Sequence, residues 1–161
     1  MELQQFDKDT NVKIPRHKLP SSTDDELQTP KDKFQEWCYK YNIYPQLDVA
    51  ATKQNALCPF YFTKEDNALN HEWLMDAWCN HPHTMHKEFV EKCSIENKKN
   101  NINILQMLPA NCARTAYWHE FIEDKTEYHA IKGSINFLKD NKPTPHHSRN
   151  AYFLIVWRKK A

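Results

Sequence analysis

The chain has 161 residues, a formal net charge of +1 at pH 7 and a single glycine. One glycine excludes a G-x-G-x-x-G dinucleotide loop and a Walker-type phosphate loop, because both need several glycines where the backbone takes positive φ or approaches a ligand. The balanced charge excludes a protein-wide basic field, so a nucleic-acid partner would have to be bound by a local patch.

The chain divides into two parts by composition. Residues 1–20 carry scattered charges and two prolines without a hydrophobic period, and we expect a flexible N-terminal arm there. Residues 21–161 are expected to form one domain. No apolar run is long enough to span a membrane, and the N-terminus lacks the apolar core of a signal peptide. Five cysteines without C-x-x-C spacing favour buried, reduced thiols and a cytoplasmic location.

Helices and strands are predicted to alternate along the domain. Apolar residues at helical spacing predict helices over 30–42, 85–100 and 115–123. The basic, asparagine-rich stretch 97–103 is predicted to be a loop. Short apolar runs predict strands within 44–52, where the strand ends in a loop from Asp48 to Thr52, and at 60–63, 76–80, 103–110, 128–137 and 151–159. This alternation predicts an α/β fold with a mostly parallel sheet and an antiparallel C-terminal strand pair.

In an open sheet of this kind, ligands bind at the carboxyl ends of the strands. The loop after the third predicted strand reads Asn80-His81-Pro82-His83. The side-chain oxygen of Asn80 and the main-chain carbonyl of His81 can accept the two hydrogens of an exocyclic amino group. Pro82 would fix the turn, and the planar ring of His83 could stack on a base.

Two other interpretations of this loop stay open at this point. His81, His83 and His86 form an H-x-H-x-x-H pattern, and imidazoles are common zinc ligands, as in a metal-dependent hydrolase. The chain has nine histidines, so chance clustering is easy, and we predict no metal site. An ordinary solvated loop is the third interpretation.

Several short motifs occur in a fixed order between residues 28 and 157. They are Thr29-Pro30, Leu47-Asp48-Val49-Ala50-Ala51-Thr52, Tyr61-Phe62-Thr63 with Asp66, Trp78-Cys79-Asn80-x-Pro82, Leu108-Pro109-Ala110 with Trp118-His119, Gly133-x-Ile135-x-Phe137 and Pro145-x-x-Ser148. In this order they resemble the phage-type DNA N6-adenine methyltransferases, a family of small enzymes that use S-adenosylmethionine. The resemblance implies a Rossmann-like methyltransferase fold and methylation of the N6 amino group of adenine in DNA, with RNA left open as a substrate.

The resemblance also implies a cofactor pocket. Asp48, Val49 and Ala50 stand where other methyltransferases have a glycine-rich loop, and they become candidates for binding the methionine and ribose end of S-adenosylmethionine. Thr29-Pro30 would lie on the same pocket. Asp66 would accept hydrogen bonds from the ribose or the adenine of the cofactor.

The 80–83 loop occupies the place of the family's N-P-P-Y motif, which holds an extruded target base. Here His81 replaces the first proline and His83 replaces the tyrosine. The alternative function is therefore a nucleic-acid-binding module of the same fold with weakened or lost turnover. Arg114 and Arg149 are the best candidates for phosphate contacts, because both flank loops at the expected active-site edge.

Two further expectations concern packing. Trp37, Trp73, Trp78 and Trp118 are predicted to lie in the core rather than to stack on bases. The single glycine, Gly133, is predicted to lie at a β-bulge or at a close approach to a neighbouring loop.

Overall fold

The computed structural model describes residues 27–144 and 150–161. The predicted arm therefore lies outside the described residues. Three α-helices are present in the described ranges: α1 (Lys31–Tyr41), α2 (His86–Asn100) and α3 (Ala116–Phe121). The strands are β1 (Leu47–Asp48), β2 (Phe60–Tyr61), β3 (Ala77–Cys79), β4 (Ile104–Pro109), β5 (Glu127–Ala130), β6 (Leu138–Lys139), β7 (Lys142–Pro143) and β8 (Tyr152–Trp157). No helix in the described ranges has the length and apolar character that crossing a bilayer requires.

Six strands form one sheet in the order β2-β1-β3-β4-β8-β5. Strand β1 pairs in parallel with β2 and β3, and β3 pairs in parallel with β4. Strand β8 runs antiparallel to both β4 and β5. The predicted α/β class, the mostly parallel sheet and the antiparallel pair at the C-terminal end are confirmed.

The two faces of the sheet bury different helices. The alternation along β4 places Leu105 and Met107 in a cluster with α1, and it places Ile104 and Leu108 in a second cluster with α2 and α3. All four tryptophans predicted to be in the core are buried, as are all five cysteines. The core thus lies on both faces of the sheet and leaves its carboxyl edge for the loops.

The helix predicted over 85–100 is confirmed, since α2 runs from His86 to Asn100. The predicted loop over 97–103 is wrong for its first four residues, since α2 continues to Asn100 and ends where Asn101 takes a left-handed conformation with φ 49°. The reason lies in the asparagine side chains. Asn97 donates to the carbonyls of Ile102 and Arg158, and Asn100 donates to the carbonyl of Trp73. These side chains bind neighbouring loops and so do not compete with the backbone of their own helix.

The region 128–137 departs from its prediction as one long strand. Strand β5 ends at Ala130, and the chain runs irregularly until β6. Gly133 lies in this irregular segment with φ 79°, and apart from Gly133 and its two chain neighbours no heavy atom of the described residues lies within 4 Å of the position that a Cβ would occupy. Both the bulge and the close approach predicted for Gly133 are therefore wrong, and the left-handed backbone alone requires glycine there.

A two-stranded hairpin of β6 and β7 was not predicted. Its turn is formed by Asp140 and Asn141, which both take positive φ, at 51° and 61°. Aspartate and asparagine tolerate this conformation better than most residues, and two such positions are the signature of a type I′ turn. The Asp-Asn pair is the signal in the sequence that would have indicated it.

Candidate active site

The candidate site lies where the order of the parallel strands reverses. Strand β2 lies on one side of β1, and β3 lies on the other side. Such a reversal opens a crevice at the carboxyl ends of the strands, where α/β proteins bind ligands. Asp48 is the last residue of β1, and Asn80 directly follows β3. The structure thus brings Asp48 and Asn80 to the two sides of this crevice.

Asn80 is fixed by a residue that is distant in the sequence. Its Nδ2 donates a hydrogen bond of 3.0 Å to Oγ1 of Thr29, which is 5% exposed and precedes α1. Pro30, the residue before α1, is half-buried next to it. In the described part of the chain, no group donates to Oδ1 of Asn80. The amide is held through its nitrogen, and its carbonyl oxygen remains as an acceptor.

His81 points its side chain into the protein. The ring is 4% exposed and stacks on Phe89 of α2, with the centroids 5.1 Å apart and the planes 11° apart. Its Nε2 lies 2.8 Å from Nδ1 of His86. Burial, and then the neighbouring imidazoles of His86 and His83, lower the pKa of His81 well below its usual range. His81 is therefore a neutral imidazole at physiological pH.

His83 lies at the mouth of a cleft next to this pair. Its ring meets that of His86 edge to face, with centroids 5.5 Å apart. The cleft has a volume of about 360 Å³, at the lower end of the range typical of small-molecule sites. Its lining residues are His83, His86, Pro109, Asn111, Cys112, Arg114, Thr115, Tyr117 and Asn150. Arg114 supplies the positive charge, and Arg149 lies outside the described residues.

Asp48 organises the loop that follows β1. Its Oδ1 accepts a hydrogen bond of 3.3 Å from the N–H of Ala50, and its Oδ2 accepts one of 3.0 Å from the N–H of Leu57. The carboxyl is 3% exposed, and burial raises its pKa to about 6 despite these two hydrogen bonds. No cation pairs with it among the residues that the structure describes. Asp48 is thus a buried carboxyl that is available to pair with a positively charged ligand.

The remaining residues of the predicted pocket differ in what they can offer. Val49 is 2% exposed with its side chain in the core, so only its main chain could meet a ligand. Asp66 is exposed, and its Oδ2 accepts hydrogen bonds of 2.9 Å from both N–H and Oγ1 of Thr63, which lower its pKa. The 63–66 turn follows Phe62, whose N–H donates to the carbonyl of Asp48 at 2.9 Å. Asp66 therefore lies near the same edge of the sheet.

The metal interpretation has no support in the geometry. Within 27–144 and 150–161, no three side chains of histidine, cysteine, aspartate or glutamate are arranged to hold a metal ion. His81 instead directs its Nε2 at His86. Sequence reasoning missed Gln106, a completely buried residue of β4 whose amide lies next to His81. A lone glutamine within the apolar run ILQMLP was the signal.

Comparison with known proteins gives the family. A family model described as DNA N-6-adenine-methyltransferase (Dam) matches residues 16–161. The DNA N-6-adenine-methyltransferase of Escherichia phage T1 is 30% identical over 118 residues, which cover 72% of this chain and 48% of that protein. The chain thus spans about half the length of this relative. No solved structure matches. The match confirms the resemblance drawn from the motifs, and the chain belongs to the DNA N-6-adenine-methyltransferase (Dam) family.

Proposed function

We propose that this chain transfers a methyl group from S-adenosylmethionine to the N6 amino group of adenine in DNA. The observation that carries the proposal is Asn80. Its amide is held by Thr29 through Nδ2, and its Oδ1 faces no other donor of the described chain. An amino group requires such an acceptor, because the lone pair of adenine N6 is a poor nucleophile while it is conjugated with the ring. Family membership supports the same chemistry.

The residues of the chain suit a cationic cofactor at the crevice. Asp48 is a buried carboxyl that pairs with no cation of the described chain, and a positively charged ligand next to it would offset the cost of burying its charge. The reversed strand order between β1 and β3 supports a Rossmann-like arrangement with the cofactor at this point. When bound, S-adenosylmethionine supplies an electrophilic methyl group. Asp48, Ala50 and the main chain of Val49 would hold it, with Thr29-Pro30 beside them and Asp66 further along the edge.

The target base would lie against the 80–83 loop, next to the cleft that His83 lines. There Asn80 Oδ1 and the carbonyl of His81 would accept the two N6 hydrogens and draw the lone pair out of conjugation. His83 would stack on the extruded ring, while Pro82 fixes the turn between them. The nitrogen–carbon bond would form as the sulfur–methyl bond breaks and leaves a neutral thioether, and the N6 proton would then pass to water. The protein would thus act by positioning the adenine against the methyl group and by polarising the N6 amino group.

Two separate features support the proposed substrate and the proposed location. Arg114 lines the cleft and is the described residue best placed to contact a DNA phosphate, with Arg149 proposed as its counterpart. RNA presents the same amino group and is an alternative substrate. The buried free cysteines support a cytoplasmic location.

A transfer assay tests the proposal. The full chain is incubated with S-adenosylmethionine carrying a labelled methyl group and with a mixed-sequence DNA duplex or RNA. Mass spectrometry of the nucleosides should then find the label in N6-methyladenine. Cofactor binding by calorimetry without any transfer would indicate a binding module of the same fold. Label only in cytosine, or neither binding nor transfer, would contradict the proposal.

A further inference from the structure

A row of buried polar groups connects the last strand of the sheet to the 80–83 loop. The indole Nε1 of Trp157 donates to Oε1 of Gln106 at 3.1 Å. Gln106 Nε2 lies 3.5 Å from Nδ1 of His81, and Sγ of Cys79 lies 3.6 Å from the same nitrogen. On the other side of the ring, Nε2 of His81 lies 2.8 Å from Nδ1 of His86. All but His86 are fully or almost fully buried.

The chemistry of Trp157 and Gln106 fixes the direction of the hydrogen bonds that lead to His81. An indole nitrogen can only donate, so it determines which end of the Gln106 amide is the oxygen. The amide NH₂ of Gln106 therefore faces Nδ1 of His81. This donor makes Nδ1 an acceptor, so the proton of the neutral His81 ring lies on Nε2. Nε2 then donates to Nδ1 of His86.

The surroundings oppose a second proton on the His81 ring. The titratable groups next to it are Cys79 of β3, His83 before α2 and His86, the first residue of α2. Cys93 of α2 contacts Cys79, and Arg114 lines the same cleft as His83 and His86. Burial of His81 and the two neighbouring imidazoles all lower its pKa. A proton added to Nδ1 of His81 would also meet the amide NH₂ of Gln106.

From this geometry we infer that Trp157, Gln106, His81 and His86 form a one-directional hydrogen-bond chain that positions the catalytic loop. Only the catalytic consequence of this inference rests on the proposed function. The family's motif has a proline at the position of His81, and proline fixes its own φ, whereas histidine does not. The hydrogen-bond chain compensates for this freedom, because it holds the side chain of His81, whose carbonyl would bind an N6 hydrogen. Gln106, His86 and Trp157 are positioning residues.

The hydrogen-bond chain is tested without any substrate. Long-range proton–nitrogen NMR on the full chain labelled at histidine should find His81 with its proton on Nε2 alone and without titration between about pH 5 and 8. The resonances are assigned with His81→Gln. Gln106→Glu turns the donor at Nδ1 into an acceptor, and it should move a proton to Nδ1. Trp157→Phe removes the donor that orients the Gln106 amide. The amide can then turn over, so both tautomers of His81 should be populated. An Nδ1 proton in the unmodified chain, or ordinary titration, would overturn the inference.

The catalytic consequence is tested with a matched pair of variants at position 86. In His86→Asn, Oδ1 can replace Nδ1 as the acceptor for His81, whereas His86→Leu removes the acceptor. A misplaced loop can cost on the order of 10²-fold in rate, so we expect His86→Leu to lower kcat by about that factor. His86→Asn should recover most of the loss, with cofactor affinity equal in both. Equal kcat in the two variants would refute the positioning role. Transfer absent from the unmodified chain would instead refute the proposed function, while the NMR result still decides the hydrogen-bond chain.

Discussion

Asp48 gives a direct thermodynamic test of how the crevice is built. Its carboxyl is 3% exposed, and its pKa is raised by burial to about 6 from the ordinary value of 3.8. Asp48→Asn removes the ionisable group while it keeps the shape of the side chain. One of the two N–H groups, Ala50 or Leu57, then faces an amide NH₂, which adds a cost that does not depend on pH.

The sign of the pH dependence follows from the direction of the shift. A raised pKa in the folded state means that folding favours the protonated acid. The contribution of Asp48 to stability is therefore complete below about pH 3.8 and is lost as the pH rises through about 6. The difference between these two values corresponds to about 3 kcal/mol. Relative to Asp48→Asn, the free energy of unfolding of the unmodified protein should fall by about 2 kcal/mol between pH 4 and pH 7, because part of the contribution is already lost at pH 4.

The assay is urea unfolding of both proteins at a series of pH values without cofactor. Asp66→Asn is the matched control, because Asp66 is exposed and its pKa is lowered by Thr63. Its contribution is present above the ordinary pKa and is lost on acidification, so the control should show a small dependence of the opposite sign. A stability difference between Asp48→Asn and the unmodified chain that stays constant with pH would refute the reasoning.

Three other predictions follow from the described contacts. Gly133→Ala should lower the free energy of unfolding by about 1 kcal/mol, because φ of 79° strains a side chain in open space, and unchanged urea midpoints would contradict this. Lys92→Met should lower the free energy of unfolding by about 3 kcal/mol, because Nζ of Lys92 lies 2.6 Å from Oε1 of the buried Glu96. A loss of less than about 1 kcal/mol would mean that Lys92 does not compensate the charge of Glu96. Arg114→Gln should weaken DNA binding and reduce the salt slope by about 1, whereas the exposed Lys53→Gln should not, and equal slopes would remove Arg114 from the interface.

Local patterns were enough to predict much of the fold. Helix α1 follows from the apolar spacing of Phe34, Trp37, Cys38 and Tyr41, and the buried strands β4 and β8 follow from continuous apolar runs. Strand β1 ends at Asp48, where the loop was predicted to begin, whereas β2 is two residues shorter than the predicted run 60–63. Helix α2 continues through its asparagines because their side chains have partners on other segments.

The sequence indicated which residues form the candidate site, but it did not indicate which side chains contact each other. The motif indicated Asn80, but no local signal predicts that Thr29, 51 residues away, holds its amide. From the sequence, His81 was only the residue that replaces the first proline of the family's N-P-P-Y motif. Only the structure shows that the side chain of His81 is buried and lies within hydrogen-bond distance of His86.

The rate of methyl transfer by Asn80→Ala tests the central claim most directly. Asn70→Ala is the matched control, because Asn70 is an exposed asparagine on a 3-10 turn and is not one of the proposed site residues. Removal of one polar group that stabilises a transition state typically costs about 10²–10³ in kcat. We predict a loss of this size for Asn80→Ala, with S-adenosylmethionine affinity by calorimetry changed less than about threefold. Transfer to adenine N6 at the rate of the Asn70→Ala control would contradict the account.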